Sequence, residues 1–442
     1  MAAGTPHPLV LAGSGESGSI FRPGGRFFRL AGRRGQLRSR RRLTPPRGRA
    51  SFRRMNIEPL KEQFAARFGR PPQHLVRAPG RVNLVGEHTD YNDGFVLPIA
   101  IDRQIAAAVA IREDRTLRLA SMEADEQAAV ALDEPIETGS PAWANYCRGV
   151  AAGLLDAGVE LVGADVLFHS DVPLGAGLSS SAALEVCTAM ALLAAAGKTG
   201  AVAPYDLARL CQTAEHVYAG APCGIMDQAI SVMGRAGRAL LLDCRDGSTE
   251  LIPFDDPRMV LLVADTQVKH AIADGGYAAR RTQCESAAAK LHLPSLRDAD
   301  AGMVADAAET GKLDEKETMR ARHVVGEIAR TLAAVEALKG GDYRRFGELM
   351  YGSHASLRDD YEVSCPELDA IVELARPLGG VCGARMTGGG FGGSAIILAQ
   401  AERAEEISQA VAAGFAERFG RACPIFATRA EAGAGMLQIR ST

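Results

Sequence analysis

The stretch from Pro173 to Val186, Pro-Leu-Gly-Ala-Gly-Leu-Ser-Ser-Ser-Ala-Ala-Leu-Glu-Val, constrains this chain more than any other. An apolar run, Ala164 to Phe168, precedes it, and Val166 and Phe168 alternate there with other residues as in a strand. The Ala/Leu/Met-rich segment from Ala182 to Ala196, stopped by Gly197, follows it as a helix. A strand, a glycine turn and a helix start in that order suit an oligophosphate. Gly175 and Gly177 let the backbone turn with its amides exposed, Ser179, Ser180 and Ser181 add hydroxyl donors, and the helix N-terminus carries partial positive charge. The same residues also fit an ordinary glycine turn with serine N-caps. No Lys follows the last glycine, so this is not a Walker loop, and any nucleotide is held by a different arrangement.

The rest of the chain bounds the setting. With 442 residues, 47% hydrophobic and 23% charged, it is long enough for two or three globular domains. No uninterrupted apolar run approaches the roughly 18 residues of a membrane helix, so no membrane association is expected. The nine cysteines are scattered without a Cys-x-x-Cys pair. They read as free thiols in a reducing, cytoplasmic compartment, not as a disulfide framework or zinc site. Residues 1–54 hold 13 Arg, no Lys and one acidic residue, Glu16, a charge of about +12 that leaves about −15 on the remainder of a chain whose formal net charge is −3. The acidic body argues against nucleic-acid binding by the folded part.

The Arg-, Gly- and Pro-rich head, 1–54, cannot bury enough apolar surface to fold and is expected to be disordered. Three readings compete for it: an extension ahead of a native start at Met55, an organelle transit peptide, or a basic nucleic-acid-binding arm. The first is favoured because helical pattern begins just after Met55, where Leu60, Phe64 and Phe68 share one face. Between Arg77 and Pro98, Arg81, Glu87, His88 and Asp90 crowd a loop flanked by two apolar runs. A solvated turn would look similar, but a polyol is held by several carboxylate, imidazole and guanidinium hydrogen bonds at once. Trp143, the single tryptophan, reads either as a core anchor or as a flat face for a base.

Farther on, Pro204 to Tyr218 reads as a helix with Gly220 as C-cap, and Glu215 lies a turn beyond its apolar face. Asp227, among Ile225, Met226 and Ile230, is either an N-cap or a catalytic carboxylate. Strands are expected at 239–243 and 259–264 with a loop, 251–257, between them. Helices follow at 277–291, 315–339 and 346–357, then a strand from Ser394, a helix over 401–419 and a final strand pair. The five-glycine loop Thr387–Gly393 requires positive φ or close backbone approach. The chain divides into an α/β half to about residue 245 and an α+β half after it.

Three separated stretches, Gly80–Tyr91, Pro173–Ala183 and Met386–Gly393, resemble in order and spacing the three motifs of the GHMP small-molecule kinases. The first, with Cys223–Gln228 and Ser356–Glu367, resembles the galactokinase branch in particular, and the likeness runs from Met55 to the C-terminus. The resemblance implies a two-domain α+β GHMP kinase fold. Residues 55–245 would form a domain like the second domain of ribosomal protein S5, and 246–442 a ferredoxin-like domain, with the site in the cleft. It implies an ATP-dependent, Mg²⁺-requiring transfer to the anomeric hydroxyl of D-galactose by a monomer. By this resemblance Asp227 and Arg81 are the catalytic pair. Glu87, His88, Thr89, Asp90, Gly224 and Tyr277 contact the sugar, while Ser181 and Glu215 hold Mg²⁺. Gly175, Ala176, Gly177, Leu178, Ser179, Ser180 and Ser181 wrap the phosphates, with Ser121 and Trp143 toward the rest of the nucleotide. Two alternatives stand beside this: a kinase for N-acetylgalactosamine or arabinose, and a non-catalytic galactose sensor. Such sensors lack part of the serine/alanine run, which is complete here at Ser179–Ala183.

Overall fold

The amphipathic segment after Met55 becomes helix α1 (Glu58–Phe68), whose Leu60 and Phe64 are fully buried, and Gly69 closes it in the left-handed region that a glycine adopts freely. In the computed structural model, residues 55–268 and 275–438 are described; the Arg-rich head, 1–54, lies outside them. All described residues fall within one compact unit.

Alternating and continuous apolar runs pair into a six-stranded sheet. It contains β1 (His74–Asn83), β3 (Pro98–Ile111), β4 (Thr116–Ser121), β5 (Ala128–Ala131), β6 (Ala164–Ser170) and the late strand β13 (Gly435–Leu437), in the order β13-β1-β3-β6-β4-β5. Only β4 and β6 run parallel; the other pairs are antiparallel. A three-stranded sheet joins β2 (Phe95–Val96), β7 (Arg238–Asp243) and β8 (Thr249–Pro253). A four-stranded one, β10-β11-β9-β12, joins β9 (Met259–Asp265), β10 (Val381–Thr387), β11 (Ser394–Gln400) and β12 (Ile425–Thr428). This mixture of sheets and helices agrees with the α+β expectation.

Helices α2 (Ala144–Asp156), α3 (Ser180–Ala195), α4 (Pro204–Ala214) and α5 (Met226–Met233) lie in the first half. The second half holds α6 (Gly276–Leu291), α7 (Ala301–Glu309), α8 (Glu315–Lys339), α9 (Tyr343–Asp359), α10 (Pro366–Ala375) and α11 (Ala404–Phe419). Helix α3 is buried along most of its length and packs on β1 and β3, which explains its nearly unbroken apolar sequence. α1 covers the other side of the same sheet, with Phe64 against Ala106, Ala108 and Leu167.

The main core draws Val76, Val109, Val150 and Val186 from the first half, and Phe346 and Ile396 from the second. The structure departs from the expected elements in several places. Strand β8 occupies part of the expected 251–257 loop, where Ile252 is buried against the core. The helix expected over 204–218 is α-helical only to Ala214; Glu215–Ala219 form a π-helical turn closed by Gly220 at φ 70°. Helices α7 and α10 are additional. The last two strands do not pair with each other: β12 joins β9, and β13 returns to β1.

Candidate active site

The three separated motifs meet at one cavity of about 560 Å³. Its lining includes Arg81, Glu87, His88 and Asp90 from the first motif, Gly175 and Gly177–Ser181 from the second, and Thr387–Gly393 from the third. Backbone contacts bring them together. The Arg81 amide donates to the Leu178 carbonyl at 3.1 Å, and the Ser394 hydroxyl donates to the Ala176 carbonyl at 2.8 Å. A Cβ on Gly80 would come within 2.6 Å of the Leu178 oxygen, and one on Gly388 within 2.9 Å of the Gly177 oxygen. Glycine at these two positions is therefore a packing requirement.

The second motif forms a wall of backbone. Gly175 and Gly177 are exposed with φ of 75° and 71°. Ser179 occupies the N-cap position of α3 but is itself left-handed, at φ 61°, and makes no side-chain cap. Its hydroxyl instead donates to the Asp227 carboxylate. The N-capping reading of this serine is thus replaced by another bond, and the first amides of a 16-residue helix keep no side-chain cap.

Asp227 lies in the first turn of α5, whose N-cap position is held by Ile225. It is therefore not a cap. Both its oxygens face Arg81: Nε and Nη2 of the arginine each donate at 2.8 Å, a bidentate pair, while Nη1 donates to the Gly177 carbonyl at 2.6 Å. The Arg81 side chain is 6% exposed and that of Asp227 22%, so the carboxylate is the member open to the cavity.

The first motif forms a wall of side chains. Glu87 is buried, and its Oε1 accepts from the Gly388 amide at 2.7 Å, the Thr387 hydroxyl at 3.2 Å and Arg385 Nη1 at 3.3 Å. Its Oε2 accepts from Asn83 Nδ2 at 3.1 Å. His88 Nε2 lies 3.2 Å from the Gly389 carbonyl, which can only accept, so Nε2 carries the proton and Nδ1 accepts from the Tyr91 hydroxyl at 2.8 Å. The Tyr91 oxygen in turn accepts from Tyr361 at 2.8 Å. Burial holds the imidazole at about 3, well below its ordinary range, in keeping with a neutral ring. Asp90 is pushed the other way, up to about 7, first by burial and then by the charges of Asp227 and Glu87. A Cβ at Gly224 would lie 1.6 Å from Asp90 Oδ2, so only glycine lets that carboxylate reach the cavity. Tyr277, at the start of α6, closes this side with its ring 5.5 Å from His88 and 5.3 Å from Tyr91.

Glu215, in the π-helical turn, lines the cavity with Ser181. Burial raises its carboxyl above the usual range, against the hydrogen bonds from Ser181 and Cys223. Gln228 Nε2 bridges Glu215 at 2.6 Å and the fully buried Glu185 at 3.0 Å. Glu185 Oε1 has no hydrogen-bond partner among the described residues.

Four expected site residues do not line the cavity. Thr89 is fully buried, and its hydroxyl bonds the Gly86 and Phe95 carbonyls at 2.9 and 2.7 Å. Ala176 is 1% exposed. The Ser121 hydroxyl donates to Glu123, and Trp143, half-buried, sets its ring edge against Phe168 at 6.3 Å. Sequence reasoning passed over Asn83, Tyr91, Cys223, Arg385 and Thr387, all of which line or brace the site. The five-glycine run and its match to the third GHMP motif are the signals in the sequence that point to this loop's close approach.

The chain is similar to known proteins along most of its length. Residues 62–111 match the galactokinase galactose-binding signature, 145–235 the GHMP kinase N-terminal domain and 334–417 the GHMP kinase C-terminal domain. Human galactokinase is 44% identical over 384 residues, spanning 85% of this chain and 95% of that protein. The Streptomyces coelicolor galactokinase is 48% identical over 382 residues, spanning 85% and 97%. Among solved structures, Lactococcus lactis galactokinase complexed with galactose matches with a TM-score of 0.82 at 33% identity, over 86% of this chain and 100% of that one. The mevalonate kinase of Methanococcus jannaschii, at 21% identity and a TM-score of 0.58, shares the fold.

Proposed function

The chain belongs to the galactokinase family of the GHMP kinases, and on that premise we propose a division of labour within its cavity. The protein is an ATP-dependent sugar kinase. It transfers the γ-phosphoryl group of ATP to the anomeric hydroxyl of D-galactose: the sugar oxygen bonds the γ-phosphorus, the bond to the β–γ bridging oxygen breaks, and galactose 1-phosphate and ADP leave.

Glu87, His88, Asp90, Gly224 and Tyr277 form the galactose wall, supplying acceptors, a neutral imidazole and a tyrosine ring to a ligand rich in hydroxyls. Gly175 and Gly177–Ser181 take the phosphates of ATP, through backbone amides and the N-terminus of α3. Ser181 and Glu215 would hold Mg²⁺. Two hard oxygens suit an ion that keeps waters and phosphate oxygens as its other ligands, and behind them Glu185 Oε1 is left without a hydrogen-bond partner among the described residues. An ion held by Ser181 and Glu215 would neutralise phosphoryl charge. Asp227 orients the anomeric hydroxyl and receives its proton, and Arg81 stabilises the negative charge that develops during transfer. Nine free thiols are consistent with a cytoplasmic setting.

The observation that carries this reading is the bidentate Arg81–Asp227 pair at the meeting point of the side-chain and backbone walls. A coupled ADP-release assay over a panel of sugars tests it. Galactose should give the highest kcat/KM and require Mg²⁺; a higher value with N-acetylgalactosamine or arabinose, or no sugar-dependent ADP at all, would overturn it.

A further inference from the structure

The turn that presents Glu87 and His88 is held in an uncommon conformation. Gly86 has φ 101°, and a Cβ there would lie 2.6 Å from the Phe95 oxygen; His88, not a glycine, has φ 62°. Such a turn persists only where its surroundings over-determine it. The surroundings come from α8, 241 and 236 positions farther along the chain. Glu327, wholly buried, accepts from the Gly86 amide at 2.9 Å and the Ser353 hydroxyl at 2.5 Å on Oε1, and from Arg330 Nε at 2.8 Å on Oε2. His323 Nε2 lies 3.1 Å from the Glu87 carbonyl. Because a carbonyl can only accept, Nε2 bears the proton, and Nδ1 accepts from the Ser356 hydroxyl at 2.9 Å. Neither residue lines the cavity.

We infer that Glu327 and His323 of α8 are positioning residues for the sugar: through two hydrogen bonds to the backbone of the Gly86–His88 turn they set galactose affinity without touching galactose. This rests on the assignment of that turn to the galactose wall. The effect should be selective, because α8 packs chiefly on α6, α7, α9, β2 and β8, none of which carries the Gly175–Ser181 loop. The two sides of Glu327 also demand a carboxylate. With Glu327→Gln, either the Gly86 and Ser353 donors or the Arg330 donor would face an amide NH₂. For His323, leucine removes the donor to Glu87, whereas glutamine can place an amide NH near the same carbonyl.

The test is steady-state kinetics of the full-length protein carrying His323→Leu, His323→Gln, Glu327→Gln or Asp90→Asn, with thermal unfolding of each as a check on folding. His323→Leu and Glu327→Gln should raise the galactose KM by about 10-fold and leave the ATP KM within about 2-fold. His323→Gln should recover most of the loss. The inference is overturned if the two KM values rise together, if neither α8 variant changes the galactose KM, or if His323→Gln is as damaging as His323→Leu. Should His323→Leu fail to fold, Glu327→Gln, which keeps the side-chain volume, decides the same point. Asp90→Asn separates the layers. If it raises the galactose KM while the α8 variants do not, the inference alone fails; if it leaves that KM unchanged, the galactose-wall assignment fails and takes the inference with it.

Discussion

On the wall formed by Gly175–Ser181 and Gly388–Gly393, the cavity presents mostly backbone; on the wall formed by Glu87, His88 and Asp90, it presents side chains. The Gly175–Ser181 part of the backbone wall needs little beyond glycines at positive φ and an open helix N-terminus, so that turn is encoded locally, while Ser394 ties the second segment to it across 218 positions. The side-chain wall gathers a carboxylate, an imidazole and a second carboxylate within a few residues, and the two buried members, Glu87 and His88, are satisfied by Gly388 and Gly389 about 300 positions farther along the chain. What the difference teaches is that phosphate recognition can be built from a short segment, whereas sugar recognition here depends on long-range support. Arg81 and Asp227 sit on the seam and belong to both.

Variants at the seam and on each wall should therefore fail differently. Arg81→Met removes the charge that stabilises transfer and leaves Asp227 bonded only to Ser179. It should lower kcat by about 10²- to 10³-fold, a loss that rapid-quench kinetics at saturating substrates would resolve. On the backbone wall, Gly393→Ala forces φ 77° on an alanine and places its Cβ 3.1 Å from the Ala176 carbonyl. The ATP KM should rise by about 10-fold and the galactose KM much less; a larger effect on galactose would break the division.

On the side-chain wall, a pH series distinguishes the two ligands. Burial, with the nearby charges of Asp227 and Glu87, pushes Asp90 up to about 7, so its carboxylate form gives way to the neutral one as the pH falls through that range. If the carboxylate is the form that accepts galactose hydroxyls, the galactose KM should rise by about 10-fold between about pH 8 and about pH 6, and Asp90→Asn should flatten that dependence. The smallest effect is expected at Thr89→Val. This leaves the Gly86 and Phe95 carbonyls without their hydroxyl donor and should cost about 1–3 kcal/mol in a denaturant titration, sharpening the view that Thr89 supports the turn from behind.

How much of this was legible in the sequence follows the same division. Gly175, Gly177 and the start of α3 could be read because strand, turn and helix are adjacent and their geometry is encoded locally. The length of α8 was equally plain from its periodicity. That its Glu327 meets Gly86 was not, since a contact across 241 residues is set by tertiary packing and leaves no local pattern. Asp227 shows the ambiguity inside a single residue: an aspartate at a helix start caps or catalyses, and only the placement of Arg81, 146 positions earlier, takes its side chain away from the helix end. The resemblance to GHMP kinases supplied the link between motifs that periodicity could not. Even so, it did not indicate that β13 would close the first sheet or that Glu215 would sit in a π-helical turn.

The most direct test of the central claim, that Asp227 at the seam drives transfer and does not merely hold the ligands together, is galactose binding and galactose-dependent ADP release measured side by side on the wild type and on Asp227→Ala. The account predicts that the variant folds and still binds galactose, with ADP release reduced by at least about 10³-fold. Turnover close to wild type in a folded, galactose-binding Asp227→Ala protein would contradict it.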